Sequence, residues 1–258
     1  GRLRGADTED VGACAVDNGI RTVFRRKVQA MKHLFARCDA IDIDLGDVHH
    51  CFDVLRAEAF VASTREAYER DPASLGPNTR ANYEMGAAMT LLDSAWAQAE
   101  QTRILARFQK LYEDYDVILA PTTPVSPFAW TELFASHING EPQANYYRWL
   151  ALTYVTTLTT HPALSLPCGL DDAGLPFGLQ IVGRFRADRH TLGVGHALEQ
   201  AFKGIAGLAR PRPDIANLMQ TCAEPALTSI VTVAPDPRDA RSLPRDDRAA
   251  SAAQVSAV

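Results

Sequence analysis

The spacing of apolar residues predicts three helices in the first half of the chain. The first carries an apolar stripe behind Asp17, a residue type that caps helix N-termini. The second covers residues 47–70 and ends before Pro72. The third covers about residues 80–112, with Gly86 as a mild interruption. The stripe of the first helix consists of Ile20, Val23, Phe24, Val28, Met31, Leu34 and Phe35.

Shorter runs predict strands. Residues 40–44 alternate apolar and acidic side chains, the period of a half-buried strand. Residues 115–121 form an almost uninterrupted apolar run, as expected of a strand buried on both faces. Residues 163–167 and 177–183 flank turn-forming residues at 171–174, which predicts a hairpin. Helices and strands together indicate the α/β class, with a mixed sheet flanked by helices.

Two further helices are predicted in the second half. Residues 146–159 form an aromatic-rich helical segment, weakened by several β-branched threonines. Asp188 is predicted to cap a last helix, which Pro211 stops. The inward positions of that helix are predicted to include Leu192, Ala197 and Leu198.

The C-terminal end has a different composition. No aromatic residue follows Phe202, and six prolines lie in the last fifth of the chain, at positions 211, 213, 225, 235, 237 and 244. Such a segment is too poor in large apolar side chains to build its own core. We therefore predict a domain over residues 1–216 and a low-complexity, disordered tail over 217–258. The apolar stretch 227–233 leaves open a docked strand within this tail.

Charge and cysteine content exclude several protein classes. A net charge of −5 provides no general basic field, so a nucleic-acid partner is not expected. No apolar run is long enough to span a bilayer, and no signal pattern opens the chain, so no membrane partner is expected. Five widely spaced cysteines without a C-x-x-C pair suit a reducing compartment, which favours a cytoplasmic location. The first residue is Gly, which predicts a processed chain or a piece of a longer one.

Two consecutive motifs carry a family resemblance. They are HPALSLPCG at 161–169 and GLPFGLQIVG at 174–183, and they closely resemble the C-terminal signature of the amidase-signature family. Residues 115–124 look like the strand and loop that precede that signature, 210–214 resemble a common ending, and 11–17 fit the start of the family's second half. The resemblance covers about residues 11–215. It implies the C-terminal portion of an amidase-signature fold.

The resemblance also implies a chemistry. In that family a neutral lysine acts as base, a serine in a cis peptide relays the proton, and a second serine attacks the amide carbonyl. These groups lie in the family's N-terminal half, and the reaction needs no cofactor. Here Lys27 and Lys32 have a polar helical context, and Lys110 and Lys203 lie near helix ends. No two serines are adjacent and G-x-S-x-G is absent, so we assign no catalytic residue.

Threonines next to the motifs are the candidate substrate-binding residues. Thr122 and Thr123 follow the predicted buried strand at its carboxyl end, where open α/β sheets bind ligands. Thr159 and Thr160 precede the His-Pro dipeptide, at a position where the family often has glycine in place of Thr160. Threonine is also common in turns and strands, so a purely structural role stays open.

Two local patterns imitate functional sites. His49 and Asp53 lie one helical turn apart beside His50 and Cys51, but no second cluster completes a metal site, so no metal is expected. Cys168 follows a proline at a strand end, and no histidine has a spacing that would activate it. A buried structural thiol is therefore predicted at Cys168.

The favoured hypothesis is the C-terminal portion of an amide hydrolase that is inactive alone because its catalytic residues are missing from this chain. With the N-terminal half present, its partner would be a small-molecule amide. In related amidotransferases an acidic residue lies about three helical turns before the proline of the His-Pro motif. Here that position is the uncharged Leu150, which favours an apolar or aromatic amide as the substrate. The alternatives are a non-catalytic module that binds a ligand or pairs with a separate N-terminal half, and a degenerate truncated product. A homodimer also stays open.

Overall fold

The structure is a computed structural model, and it describes residues 3–129, 132 and 134–220. The chain divides into two compact units, residues 1–211 and 212–258. The described part of the second unit holds one short helix, α7, at Ile215–Gln220. The predicted docked strand at 227–233, and most of the predicted tail, lie outside the described residues.

The first unit combines six α-helices with seven strands in its described part. The helices are α1 (Asn18–Met31), α2 (Val48–Arg70), α3 (Pro77–Ala87), α4 (Leu91–Lys110), α5 (Ala151–Thr159) and α6 (Asp188–Phe202). The strands are β1 (Arg4–Asp7), β2 (Arg37–Ala40), β3 (Val117–Pro121), β4 (His137–Ile138), β5 (Glu141–Pro142), β6 (Ala163–Leu170) and β7 (Pro176–Gly183).

The main sheet has five strands in the order β2-β1-β3-β7-β6. The β1 strand is parallel to both β2 and β3, whereas β7 is antiparallel to β3 and β6. The predicted mixed sheet flanked by helices is therefore confirmed. The four-residue β1 strand lies inside the sheet although its sequence carries no strand pattern, because pairing on both sides supplies its hydrogen bonds.

The predicted central strand and hairpin are also confirmed. All five residues of β3 are buried, as its apolar run predicts. The β6 and β7 strands pair antiparallel, with Leu164 opposite Ile181 and Leu166 opposite Leu179. Asp171 closes the turn between them, because its carboxylate accepts hydrogen bonds from the backbone N–H groups of Ala173 and Leu175 at 2.9 and 2.8 Å.

The strand predicted at residues 40–44 is wrong. The pairing segment lies upstream, where Cys38 is opposite Gly5 and Ala40 is opposite Asp7. The alternating residues that suggested a strand leave the sheet after Ala40, and Ile43 is buried against the loop at Gly12 instead. Tertiary pairing therefore overrides the local period-two pattern.

The single long helix predicted at 80–112 is wrong, because the segment is two helices, α3 and α4. Thr90 and Asp93 form a reciprocal capping box that starts α4. Gly86 lies near the end of α3, where a Cβ would be 2.5 Å from the Ala57 carbonyl oxygen, so this glycine permits close helix packing. The helix predicted at 146–159 also begins later, at Ala151, after a 3-10 turn at Arg148–Leu150.

The predicted face of the last helix needs correction. Asp188 is its first residue rather than its cap, since the N-cap position is Ala187. Leu192 is 61% exposed and Ala197 is exposed, so both predicted inward positions are wrong, whereas Leu198 is buried. The helix also ends at Phe202, well before Pro211. The buried face consists of Thr191, Val194, Gly195, Leu198 and Phe202.

The core lies between the sheet and α1, α4, α5 and α6. Asp17 caps α1 as predicted, by accepting from the Gly19 and Ile20 amides, and places Phe24 and Met31 in the fully buried interior. The four cysteines in the described residues are free thiols. None of the helices described is long and apolar enough to cross a membrane.

Candidate substrate pockets

The loop after β3 forms one wall of a cavity of about 270 Å³, here called the strand-end cavity. The Thr122 amide donates to the Gly178 carbonyl at 3.0 Å, and the Thr122 and Ser165 hydroxyls are 2.9 Å apart. The Thr123 side chain is exposed and donates to the Val125 carbonyl at 3.2 Å. The cavity is lined by Thr122, Thr123, Val125, Ser126, Pro127, Phe128, Trp149, Pro176 and Gly178.

A buried carboxylate fixes this loop to the β6–β7 hairpin. The Ser126 hydroxyl donates to Asp171 at 2.7 Å, while the other carboxylate oxygen accepts the two turn amides. Burial disfavours the charged form of Asp171, but these hydrogen bonds outweigh it and lower the pKa of the carboxyl. The ionised Asp171 therefore holds the wall of the strand-end cavity in place.

The second pair of candidate threonines lies at the other end of β7. Thr160 is exposed and lines a separate cavity of about 430 Å³, next to Pro162, whose carbonyl accepts from the Gly183 amide. Gly183 is five residues from Gly178, which separates the two sites by about 17 Å. Thr159 lines neither cavity, because it is fully buried and bonds the Thr156 carbonyl at 3.4 Å. The structure thus brings Thr122 and Thr123 together and leaves Thr159 and Thr160 apart from them.

Thr160 has a backbone conformation that glycine adopts without strain. Its φ of 51° and ψ of 28° place it in the left-handed region, where a β-branched side chain is strained. Thr160 follows the last residue of α5, and the chain changes direction there before it enters β6. The conformation therefore persists here despite the absence of glycine.

His161, which follows this turn, is enclosed by aromatic rings. Its Nδ1 donates to the Thr159 carbonyl at 2.8 Å, and its ring stacks on Tyr112 with the centroids 5.2 Å apart. Burial lowers the pKa of the imidazole and so favours its neutral form. Nε2 is buried and has no partner among the described residues. His161 is thus a packed core histidine at the entrance to β6.

One further cavity was not predicted from the sequence. It encloses about 450 Å³ between α2, α4 and α5 and is here called the helical cavity. Its wall is mostly apolar and aromatic and also includes Arg56. The signal for this residue is its spacing, since Arg56 is four residues from both Phe52 and Phe60 on one helical face. The lining residues are Phe52, Leu55, Arg56, Ala59, Phe60, Gln101, Tyr147, Leu150, Thr153, Tyr154, Thr157 and Leu158.

The histidine and aspartate that imitate a metal site have other partners. Asp53 pairs with Arg148 at 2.7 Å and accepts from the Tyr147 hydroxyl at 2.9 Å. His49 Nδ1 is 2.5 Å from the Tyr154 hydroxyl, and burial lowers the pKa of this imidazole. Within the described part of the chain, no group of three or more His, Cys, Asp or Glu side chains is placed to hold a metal ion.

Lys27 does not have the polar environment that its sequence context suggests. It is 4% exposed, donates to the Gly207 carbonyl at 3.1 Å, and lies 5.2 Å from the Phe177 ring centre. Burial lowers the pKa of its ammonium group. Lys27 lies three residues after Phe24 and four after Val23, so the helical stripe itself contained the signal for its burial. Its hydrogen bond to a carbonyl and its ring contact describe a structural lysine.

Cys168 is a buried structural thiol, as predicted. It is fully buried in β6, and burial raises the pKa of its thiol to about 11. A thiol with that pKa remains protonated near neutral pH. Burial in β6 therefore favours the thiol of Cys168 over the thiolate, which is the nucleophilic form.

Comparison with known proteins identifies the family. The sequence model of the family described as Amidase matches residues 4–192. A glutamyl-tRNA(Gln) amidotransferase subunit of Lysinibacillus sphaericus is 39% identical over 111 residues, which are 42% of this chain and 21% of that protein. The corresponding protein of Halalkalibacterium halodurans is 40% identical over 111 residues, with the same shares of the two chains. The chain thus matches about a fifth of the length of these curated relatives.

Solved structures share the fold. A bacterial aryl acylamidase of the amidase-signature family superimposes with a TM-score of 0.68 at 22% identity, over 78% of this chain and 44% of that one. A second structure, described as an amidase, gives a TM-score of 0.70 at 22% identity, over 78% of this chain and 46% of that one. With its family match over residues 4–192 and this fold, the chain belongs to the amidase-signature family.

Proposed function

We propose that this chain is the C-terminal portion of an amide hydrolase of the Ser–cisSer–Lys type. The reaction is hydrolysis of an amide to a carboxylic acid and ammonia or an amine. A polypeptide segment outside these residues supplies the lysine base and the two serines. The chain itself supplies sheet, helices and part of the substrate pocket, and alone it does not hydrolyse amides.

One observation carries this proposal. The chain matches the family over residues 4–192, yet none of its serines is adjacent to another serine. A neutral lysine next to a serine hydroxyl is what the mechanism requires. The buried Lys27 donates to a carbonyl oxygen instead, and the exposed Lys203 donates to Gln200. The family match without the catalytic groups favours a scaffold and binding role for this portion.

Thr122 and Thr123 are the proposed substrate-binding residues. They lie at the carboxyl end of β3, on the loop that Asp171 holds, and they line the strand-end cavity with the rings of Phe128 and Trp149. These rings form an edge-to-face pair with centroids 5.7 Å apart. The apolar wall supports an apolar or aromatic amide as substrate and therefore a general amidase, although the curated relatives are amidotransferase subunits.

The test begins with the coding sequence upstream of the Gly1 codon. We expect it to encode, in frame, a lysine in an apolar strand and a pair of serines in a glycine-rich loop. The longer product should release ammonia from simple aryl and alkyl amides, whereas the 258-residue chain should not. A chain of residues 1–258 that hydrolyses these amides at a rate comparable to the longer product would refute the proposal.

Two controls sharpen this assay. Replacement of Thr122 by Val should raise KM in the longer product, since it removes a hydroxyl at the cavity wall and keeps the side-chain volume. Replacement of the exposed Arg65, which pairs with Glu69 and lines neither cavity, should leave KM unchanged. If unrelated sequence lies upstream, a second polypeptide that co-purifies and restores hydrolysis would indicate a separately encoded N-terminal half.

A further inference from the structure

The chain contains two Asn-Gly dipeptides, and the fold brings them into contact. Asn18 and Gly19 begin α1, whereas Asn139 and Gly140 form the turn between β4 and β5. The Asn18 amide donates to Asn139 Oδ1 at 3.0 Å. Asparagine before glycine loses its side-chain amide readily, because glycine has no Cβ to hinder attack by its own nitrogen. The two dipeptides have different surroundings, so the structure predicts a different outcome for each.

Loss of this amide requires no reagent other than water. The backbone nitrogen of the glycine attacks the asparagine Cγ, the bond between Cγ and Nδ2 breaks, and ammonia leaves with the proton of the attacking nitrogen. One water molecule then opens the resulting succinimide at either of its carbonyls and gives aspartate or isoaspartate. The reaction is therefore favoured by a free glycine N–H, by a backbone that can move, and by a donor to the oxygen on Cγ.

The turn at Asn139 has all three features. Asn139 and Gly140 are exposed, and the Gly140 N–H donates to no group in the described part of the chain. A Cβ built on Gly140 would have no atom within 4 Å, so no described residue packs against the turn there. The Asn18 amide donates to Asn139 Oδ1, the atom on which negative charge develops during the attack. The turn thus leaves the nucleophile free and polarises the carbon that it attacks.

The backbone at Asn18 opposes the same reaction. Asn18 is the first residue of α1, and the helix fixes its backbone dihedral angles. The Gly19 N–H donates to Asp17 Oδ1 at 2.8 Å, so the nucleophilic nitrogen is already engaged by the N-cap side chain. The negative charge of the Asp17 carboxylate also disfavours removal of the Gly19 proton. The helix cap therefore protects the Asn-Gly dipeptide of α1.

The Asn139 side chain also holds the β4–β5 hairpin against the start of α1. Its Nδ2 donates to the Val16 carbonyl at 3.0 Å while its Oδ1 accepts from Asn18. Conversion to a carboxylate removes the donor and places an oxygen opposite the Val16 carbonyl, and isoaspartate also lengthens the backbone of the turn by one carbon atom. The adjacent Asp17 amide donates to the Pro124 carbonyl at 2.9 Å, in the loop after β3. The Asn139 amide thus joins the hairpin to the segment that contacts this loop.

We infer that Asn139 is a site of spontaneous deamidation, and that its conversion releases the β4–β5 hairpin from the start of α1. Asn18 stays an asparagine in the folded chain. The inference goes beyond the proposed function and does not depend on it, because it concerns a covalent change in the 258-residue chain itself. The local structure, rather than the dipeptide, thus determines which of the two asparagines reacts.

Incubation of the 258-residue chain at mildly alkaline pH, followed by peptide mapping with mass spectrometry, measures both rates in one sample. Trypsin separates the two sites, because Asn18 lies in peptide 5–21 and Asn139 in peptide 111–148, where fragmentation distinguishes it from Asn145. We expect deamidation to be at least about tenfold faster at Asn139 than at Asn18. In urea the helix and the hairpin are lost, so the two rates should become similar. Equal rates in the folded chain, or a tenfold difference that persists in urea, would overturn the inference.

A second measurement tests the release of the hairpin. Hydrogen exchange at the Asn18 amide, followed by NMR, should be at least about tenfold faster in the converted chain, because the hairpin that carries its acceptor has moved away. Asn139→Gly removes the same acceptor without deamidation, tolerates the left-handed backbone at φ 54°, and should reproduce this increase. The amides of β7 are the internal control and should exchange at unchanged rates. Unchanged exchange at Asn18 in either sample would show that Asn139 does not hold the hairpin to α1.

Discussion

Asp116 is the charged group whose contribution to stability can be worked out most directly. It lies just before β3, where its carboxylate accepts from the Arg4 amide at 2.9 Å and pairs with the Arg4 and Arg184 guanidinium groups at 3.2 and 3.1 Å. Burial disfavours the charged form, but these bonds outweigh it and lower the pKa of Asp116 to about 2. The perturbation is Asp116→Asn, which keeps one acceptor and removes the charge.

The size of the effect follows from the pKa and the exposure of the partners. A fall from the ordinary pKa of 3.8 to about 2 corresponds to about 2 kcal/mol of stability. The two guanidinium side chains are 40% and 43% exposed, so solvent screening reduces the expected loss to about 1 kcal/mol. Because the folded-state pKa is lowered, this stability is present above about pH 4 and is lost as the pH falls towards 2.

The assay is urea unfolding followed by circular dichroism, for the wild type and Asp116→Asn, in steps from neutral pH downwards. The difference in the free energy of unfolding should be about 1 kcal/mol at neutral pH and should disappear as the pH falls through about 2. Asp42→Asn is the control, because Asp42 is exposed and makes no hydrogen bond or ion pair in the described part of the chain. A difference that is independent of pH would refute the reasoning.

Two further substitutions test backbone strain and a buried charge. Thr160→Gly should raise the free energy of unfolding by about 1 kcal/mol, because glycine adopts the left-handed conformation at φ 51° without strain. Thermal unfolding measures this change. A lower melting temperature for Thr160→Gly would contradict the assignment of backbone strain to Thr160. Lys27→Met removes a buried ammonium whose folded-state pKa is lowered from 10.5. As the pH approaches 10.5, the unfolded wild-type chain binds more protons than the folded one. The free energy of unfolding of the wild type should therefore rise relative to that of Lys27→Met over this pH interval. A difference in the free energy of unfolding that does not change with pH would show that burial does not perturb Lys27.

Local signals made much of the fold predictable. Asp17 and the stripe behind it specify α1 because both the cap and the apolar period act within a few residues. The β6–β7 hairpin follows from two apolar runs and an Asp171 turn for the same reason. The β1 strand was not predictable in this way, since its pairing with β2 and β3 depends on residues distant in sequence. The break before α4 was missed because the Thr90–Asp93 capping box lies inside a continuous helical pattern.

The candidate sites were less predictable than the fold. The sequence predicts Thr122 and Thr123 at a strand end, and in the structure they line a cavity. No local sequence pattern indicates that Thr159 and Thr160 lie at the opposite end of β7. For Arg56 the sequence offers only its spacing from Phe52 and Phe60 on one helical face. The exceptional environment of Arg56 comes from aromatic residues of a segment ninety positions away, such as Tyr146. Only tertiary packing reveals that it has no acidic partner among the described residues.

The position of β1 in the sheet sets an order on folding during synthesis. This strand is made before β3, yet its contacts with the start of β3 join residues 112 positions apart. At ribosomal rates of 5–20 residues per second, β1 waits for about ten seconds before its second neighbour exists. The β6–β7 hairpin, by contrast, pairs residues that are close in sequence and closes within about 10 microseconds once made. One edge of β1 therefore stays unpaired in the nascent sheet throughout the synthesis of α1, α2, α3 and α4. Chaperone binding during this period would have the largest effect on the yield of folded protein.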